Sequence, residues 1–261
     1  MTATTATGRG TVWLSVCDGP PDGPLILVPP FAGGGRSFFR EWEPLFRPWA
    51  RLAYVTLPGR DQRMREPARD HLDALLPDLL DACADAVRTG PYAVFGHSMG
   101  ALLGYEIACG LRARGLPEPA RLVVSGLCSP DTPLPGKPLE KVTDLELLQE
   151  LATIMGVPHS GPLYDLVAAL LPTARADFTL CERYRWEPRP PLTSPVTALW
   201  SSDDPLTTPD GIAAWQRHTT GAFRSLRFGG PHFFIRELGG VVADELSARP
   251  GLPAPRRERQ R

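Results

Sequence analysis

The chain has 261 residues and a formal net charge of −1, which leaves room for one large core and removes the electrostatic basis for general binding to nucleic acid or an anionic membrane. Its hydrophobic fraction of 43% and charged fraction of 22% are those of globular proteins and argue against a disordered or membrane class. Five scattered cysteines without a Cys-x-x-Cys pair indicate neither a disulfide framework nor a zinc site, and no signal-peptide pattern or long apolar run marks export or a membrane span, so a cytoplasmic protein is expected.

The first strand-like segment is Thr11 to Cys17. The apolar run Pro24 to Val28 reads as a buried strand that enters a glycine-rich loop, Phe31-Ala32-Gly33-Gly34-Gly35. Arg51 to Leu57 is a further strand, closed by Pro58-Gly59. From Leu72 to Val87, apolar residues recur at helical spacing. Tyr92 to Phe95 is a short strand, Met99 to Arg114 a helix and Leu122 to Ser125 a strand, so strands and helices alternate as in a mostly parallel sheet flanked by helices.

Between about Asp131 and Pro191 the alternation gives way to helical pattern, including Asp144 to Met155 and Tyr164 to Leu171, and this segment is expected to be an inserted helical lid. Strand character returns at Val196 to Trp200, with a helix from Pro209 to His218, a strand from Phe223 to Phe228 and a last helix from about Phe233 to Leu246. The expected organisation is an α/β core made of 1–130 and 192–248, a lid of 131–191 and a flexible, proline- and arginine-rich tail of 249–261.

The chemistry is concentrated at Gly96-His97-Ser98-Met99-Gly100. A Gly-x-Ser-x-Gly spacing arises by chance in turns, but here a short apolar strand precedes it and an amphipathic helix follows, which is the context of a nucleophile elbow in an α/β-hydrolase fold. The flanking glycines let strand and helix cross without Cβ clashes, so alanine at Gly96 or Gly100 should be poorly tolerated. Neighbours at a sharp turn point apart, so His97 is read as structural.

A serine hydroxyl needs an imidazole to take its proton and a carboxylate to orient that imidazole, and in this fold the chain order is serine, acid, histidine. Three histidines follow Ser98. His232 lies in a loop directly after the terminal strand; His218 ends a helix, where it suits a C-terminal charge role, and His159 lies in the inserted segment. His71 precedes the serine and resembles a helix-start residue. Asp203 and Asp204, before Pro205, both lie at the carboxyl edge of their strand, and spacing alone does not separate them. For the oxyanion hole the backbone N–H of Met99 and a donor from the Phe31–Gly35 loop are expected. That loop has neither the lysine of a phosphate-binding loop nor a G-x-G-x-x-G pattern.

Over nearly its whole length the chain resembles the type II thioesterases, the discrete editing enzymes of polyketide and nonribosomal peptide biosynthesis. The resemblance rests on five ordered blocks: Pro30-Phe31-Ala32-Gly33-Gly34-Gly35 with Phe38-Phe39; Leu57-Pro58-Gly59-Arg60 with Arg63 and Glu66-Pro67; Gly96-His97-Ser98-Met99-Gly100-Ala101; Leu171-Pro172 with Arg175-Ala176-Asp177-Phe178; and Gly230-Pro231-His232-Phe233-Phe234. Where many relatives have Phe-Pro followed by His or Tyr, this chain has Val28-Pro29-Pro30-Phe31, and it has Gly-Pro-His where they have Gly-Gly-His.

The resemblance implies hydrolysis of aberrant or stalled acyl groups from the phosphopantetheine arm of an acyl or peptidyl carrier protein. It implies Ser98, Asp204 and His232 as the catalytic triad, and Ala32 and Met99 as oxyanion-hole donors. No cofactor or metal is expected beyond the phosphopantetheine carried by the substrate, and a monomer is expected. The basic cluster Arg60, Arg63 and Arg65 is a candidate contact for a carrier protein, and the apolar residues of Asp144 to Met155 suit either lid packing or an acyl chamber. The rival readings are a general carboxylesterase or a type I chain-releasing thioesterase of the same fold, and a non-catalytic binding protein.

Overall fold

The computed structural model describes residues 13–247 except 89, 136, 137, 139 and 140; the expected tail of 249–261 lies outside the described residues. Seven strands form one sheet: β1 (Leu14–Val16), β2 (Leu25–Val28), β3 (Arg51–Val55), β4 (Tyr92–His97), β5 (Leu122–Ser125), β6 (Val196–Ser201) and β7 (Phe223–Phe228). Their spatial order is β1-β3-β2-β4-β5-β6-β7. Only the β1–β3 pair is antiparallel; the remaining five are parallel.

The central strands are apolar throughout because both faces are covered. Leu25, Leu27, Tyr92 and Val94 face α2 (Leu72–Val87) and α3 (Met99–Ala113), whereas Ile26, Val28, Ala93 and Phe95 face α1 (Glu43–Phe46) and α8 (Gly239–Ser247). Period-two alternation along each strand divides the core into these two layers.

The inserted segment between β5 and β6 carries α4 (Asp144–Met155), α5 (Pro162–Ala169) and α6 (Leu171–Arg183). The single helix expected over Tyr164 to Leu171 is divided, because Leu170 ends α5 and Pro172 sits in the first turn of α6, where its missing N–H is unused. α4 starts with a capping box, in which Thr143 Oγ1 accepts from Glu146 N and the Glu146 carboxylate accepts from Thr143 N. Leu147 and Leu151 pack with Val167 and Ala174 into a small cluster of their own, while Leu145 is largely exposed.

Beyond β6, the helix expected over Pro209 to His218 is α7 (Pro209–Ala213) continued by a 3₁₀ stretch. The last expected helix is likewise a 3₁₀ turn, His232–Glu237, followed by α8. Among the described residues no helix is long and apolar enough to cross a membrane. All five cysteines are free thiols.

Candidate active site

Ser98 stands between β4 and α3 with φ 53° and ψ −127°, a left-handed region that a residue with a side chain adopts only where its surroundings impose it. On the strand side, His97 pairs with Ser125 of β5 and Ser98 N donates to Ser125 O at 2.7 Å. On the helix side, a Cβ on Gly96 would lie 2.0 Å from the Gly100 carbonyl oxygen, and a Cβ on Gly100 would lie 2.6 Å from that of Pro29. Glycine at these two places is what allows strand and helix to meet so closely. The first N–H groups of α3 have no partner within the helix and point toward the Ser98 side of the turn.

Asp204 and His232 follow neighbouring parallel strands. Ser201 of β6 is in register with Phe228 of β7, so the loops carrying Asp204 and His232 leave the same sheet edge side by side. His232 Nδ1 and Asp204 Oδ2 are 2.8 Å apart, with both side chains almost completely buried. Asp204 Oδ1 accepts from Leu206 N at 2.9 Å. This pairing puts the proton on Nδ1 and leaves Nε2 as an acceptor. Asp203 is exposed and points elsewhere: its Oδ2 accepts from Gly230 N at 2.8 Å. Ser201 Oγ hydrogen-bonds to the Gly230 carbonyl, so two side chains of the β6 end hold the histidine loop.

Ala32, Ser98, His232 and Phe233 line one small cavity. Ala32, Ser98 and Met99 also line a neighbouring chamber of about 1030 Å³ whose walls include Ile154, Phe178 and Trp186, the first two of which line the small cavity as well. Among the described residues no hydrogen bond joins Ser98 Oγ to the His232 ring; such contacts commonly close only when substrate is bound. The Phe31–Gly34 loop is a type II turn: Gly34 N donates to Phe31 O at 2.8 Å, and Gly33 has φ +73° whereas Ala32 does not have a positive φ.

The remaining histidines divide by environment. His97 is wholly buried, with Nδ1 3.0 Å from Ser125 Oγ, Nε2 without a partner, and its ring centroid 4.7 Å from that of His232. Burial, reinforced by the neighbouring His232, pushes its pKa well below the ordinary value, so it is a neutral ring against which His232 rests. His218 is buried between Asp131 (2.9 Å) and the Tyr105 hydroxyl (3.2 Å), which joins the start of the inserted segment to the core. His159 and His71 are surface residues, the first against Thr153 and the second against Asp70.

The expected basic cluster is not a surface patch. Arg60 is 7% exposed and bridges to Asp177 at 2.7 Å. Arg63 is 3% exposed, with its guanidinium carbon 3.9 Å from the centroid of the Trp13 ring, and it donates to Glu66 and to the Thr56 carbonyl. Arg65 alone of the three is exposed. Asp177, which belongs to one of the five family blocks but had no role assigned from the sequence, is 1% exposed on α6; burial raises its carboxyl pKa against the pull of Arg60. Its signal was a charged residue on the buried stripe that includes Ala174 and Leu180. Among the described residues no group of three or more His, Cys, Asp or Glu side chains is placed to hold a metal ion.

A mostly parallel sheet with an elbow serine, followed along the chain by a carboxylate and a histidine that meet at its carboxyl edge, defines a serine hydrolase of the α/β-hydrolase fold. Residues 24–248 match the model of the thioesterase domain family, and the chain belongs to that family, in its type II branch.

Among solved structures it is similar to RedJ, a thioesterase of the prodiginine pathway in Streptomyces coelicolor, with 38% identity, a TM-score of 0.81 and coverage of 88% of this chain and 89% of that one. It is also similar to BorB, the type II thioesterase of the borrelidin cluster, at 31% identity and a TM-score of 0.79, covering 90% and 97% of the two chains. The gramicidin S biosynthesis protein GrsT of Aneurinibacillus migulanus is 32% identical over 80% of this chain and 81% of its own.

Proposed function

We propose that this thioesterase hydrolyses acyl groups from the phosphopantetheine arm of acyl or peptidyl carrier proteins, clearing aberrant or stalled chains in the cytoplasm, with Ser98, His232 and Asp204 as its catalytic residues. The observation that carries the reading is the buried 2.8 Å His232–Asp204 pair, whose histidine lines the same cavity as the elbow serine. His232 Nε2 takes the Ser98 proton as Oγ attacks the thioester carbonyl. The oxyanion of the tetrahedral intermediate is met by the N–H groups of Ala32 and Met99. The C–S bond then breaks, the carrier thiol leaves with the proton from His232, and water deprotonated by the same ring releases the acid.

The chamber beside Ser98 receives the acyl chain, and the inserted segment of 131–191 forms its lid. Similarity to proteins named for gramicidin S biosynthesis and the prodiginine biosynthetic pathway supports a carrier-bound substrate over a general ester. Ser98→Ala is expected to leave acyl-carrier protein intact in a mass-spectrometric release assay that the unmodified enzyme completes; turnover by the variant would refute the nucleophile. Faster hydrolysis of p-nitrophenyl esters than of acyl-carrier protein would instead favour a general carboxylesterase.

A further inference from the structure

One carboxylate from the inserted segment reaches the loop that carries Ala32. Asp177 of α6 accepts Gly33 N–H on Oδ2 at 2.7 Å, and on Oδ1 it accepts Arg60 Nη2 at 2.7 Å. Arg60 Nη1 donates in turn to the Gly34 carbonyl at 3.1 Å, so the pair grips the second half of the Phe31–Gly34 turn on both a donor and an acceptor.

The peptide between Ala32 and Gly33 is the one whose orientation distinguishes a type II turn from a type I turn. Its N–H faces the carboxylate. A flip would turn the Ala32 carbonyl toward the same negative charge, which is repulsive, so the carboxylate selects the observed turn. Space is limited on both sides: a Cβ at Gly33 would sit 3.1 Å from Ala174 Cβ, and one at Gly34 would sit 2.6 Å from the Phe31 ring.

A stability role alone explains this poorly, because taking both charges out of water offsets most of their attraction. Arg60 Nε is moreover buried without a partner, so the guanidinium is aimed at the turn and the carboxylate and not at its own full hydrogen bonding. α6 is further fastened to the core by Thr173 Oγ1, which donates to the Gly59 carbonyl at 2.8 Å.

We propose that Asp177, supported by Arg60, is a positioning residue for the oxyanion hole: by fixing the Ala32–Gly33 peptide and the Gly34 carbonyl it anchors the Phe31–Gly34 turn, whose first N–H is that of Ala32. This rests on the reading of Ala32 as an oxyanion donor. It follows that α6 is a fixed platform of the active site.

The test is Asp177→Asn, which keeps the volume but turns one end into a donor. Loss of an aligned oxyanion donor corresponds to about a hundredfold in kcat; a fall of at least about tenfold is expected, with KM for an acyl-carrier protein within about threefold of the unmodified value. Labelling of Ser98 by a fluorophosphonate, which builds negative charge in the same hole, should slow in parallel.

If Asp177→Asn is insoluble, Arg60→Lys is read by the same criteria. A folded variant with kcat within about threefold of the unmodified enzyme, or with its loss confined to KM, overturns the proposal. Should Ser98→Ala retain turnover, the mechanistic reading itself falls; should Ser98→Ala be inactive while Asp177→Asn is normal, only this positioning role falls.

Discussion

Asp203 and Asp204 are adjacent and chemically identical, yet one is exposed on Gly230 N–H and the other is buried on His232. The difference makes opposite predictions for the two amides. Asp204→Asn is expected to lower kcat by about four orders of magnitude, because an amide no longer stabilises the imidazolium or holds its tautomer. Asp203→Asn keeps an oxygen that can accept from Gly230 N and should cost less than about tenfold. Steady-state kinetics on acyl-carrier protein decide between them, and a reversal of the two effects would move the acid to Asp203.

His97 makes a second prediction at the same scale. Its folded-state pKa is lowered, so below about pH 6.5 the unfolded chain binds a proton that the native chain does not. Stability is therefore retained above that pH and lost as the pH falls below it, by up to about 1.4 kcal/mol per pH unit for one group. His218, whose pKa burial also lowers, acts with the same sign. Denaturant unfolding of His97→Asn should show a shallower decline between pH 7 and 5 than the parent, although the variant is less stable at pH 7. Equal slopes would mean that His97 is protonated in the native state.

Among the elements, the β4–α3 junction carries the tightest constraint. Gly100→Ala would press a methyl group against the Pro29 carbonyl at 2.6 Å, in a place closed by backbone on both sides. The expected outcome is loss of soluble protein, or destabilisation by more than about 4 kcal/mol, at the extreme of single substitutions. A soluble, active Gly100→Ala enzyme would show that the junction can relax. α6 is the element whose role spacing did not reveal. Its stripe is helical, but a stripe does not say which partner its one buried acid will meet. Arg60 is a similar case: as part of a basic cluster it resembles a solvated face, and only its pairing with Asp177 across the fold makes burial tolerable.

At the scale of the whole molecule, core and inserted segment share the chamber beside Ser98. Ile154 of α4 is nearly buried and faces it. Ile154→Trp is expected to fill part of the space, raising KM for long acyl chains on carrier protein by tenfold or more, as one or two methylene groups do in an apolar pocket, with a smaller effect on acetyl and propionyl groups, because Ile154 also lines the small cavity at Ser98 and His232. A competition assay over chain lengths reads this directly, and an equal effect at all lengths would place the acyl chain elsewhere.

The sequence by itself determined the alternation of strands and helices, the elbow glycines, the order of serine, acid and histidine, and the family, because these depend on residues close together in the chain and on local steric rules. Spacing left Asp203 and Asp204 open and the family resemblance implied Asp204, whose contact with His232 is a tertiary one; the structure alone decided that Arg60 and Arg63 are buried and that a carboxylate 144 residues away grips the turn at Gly33. Those contacts join segments brought together by sheet register and helix docking, and local spacing carries no record of them. The Ser98 elbow was thus legible from its own pentapeptide and flanks, whereas the groups that surround it were assembled by the fold.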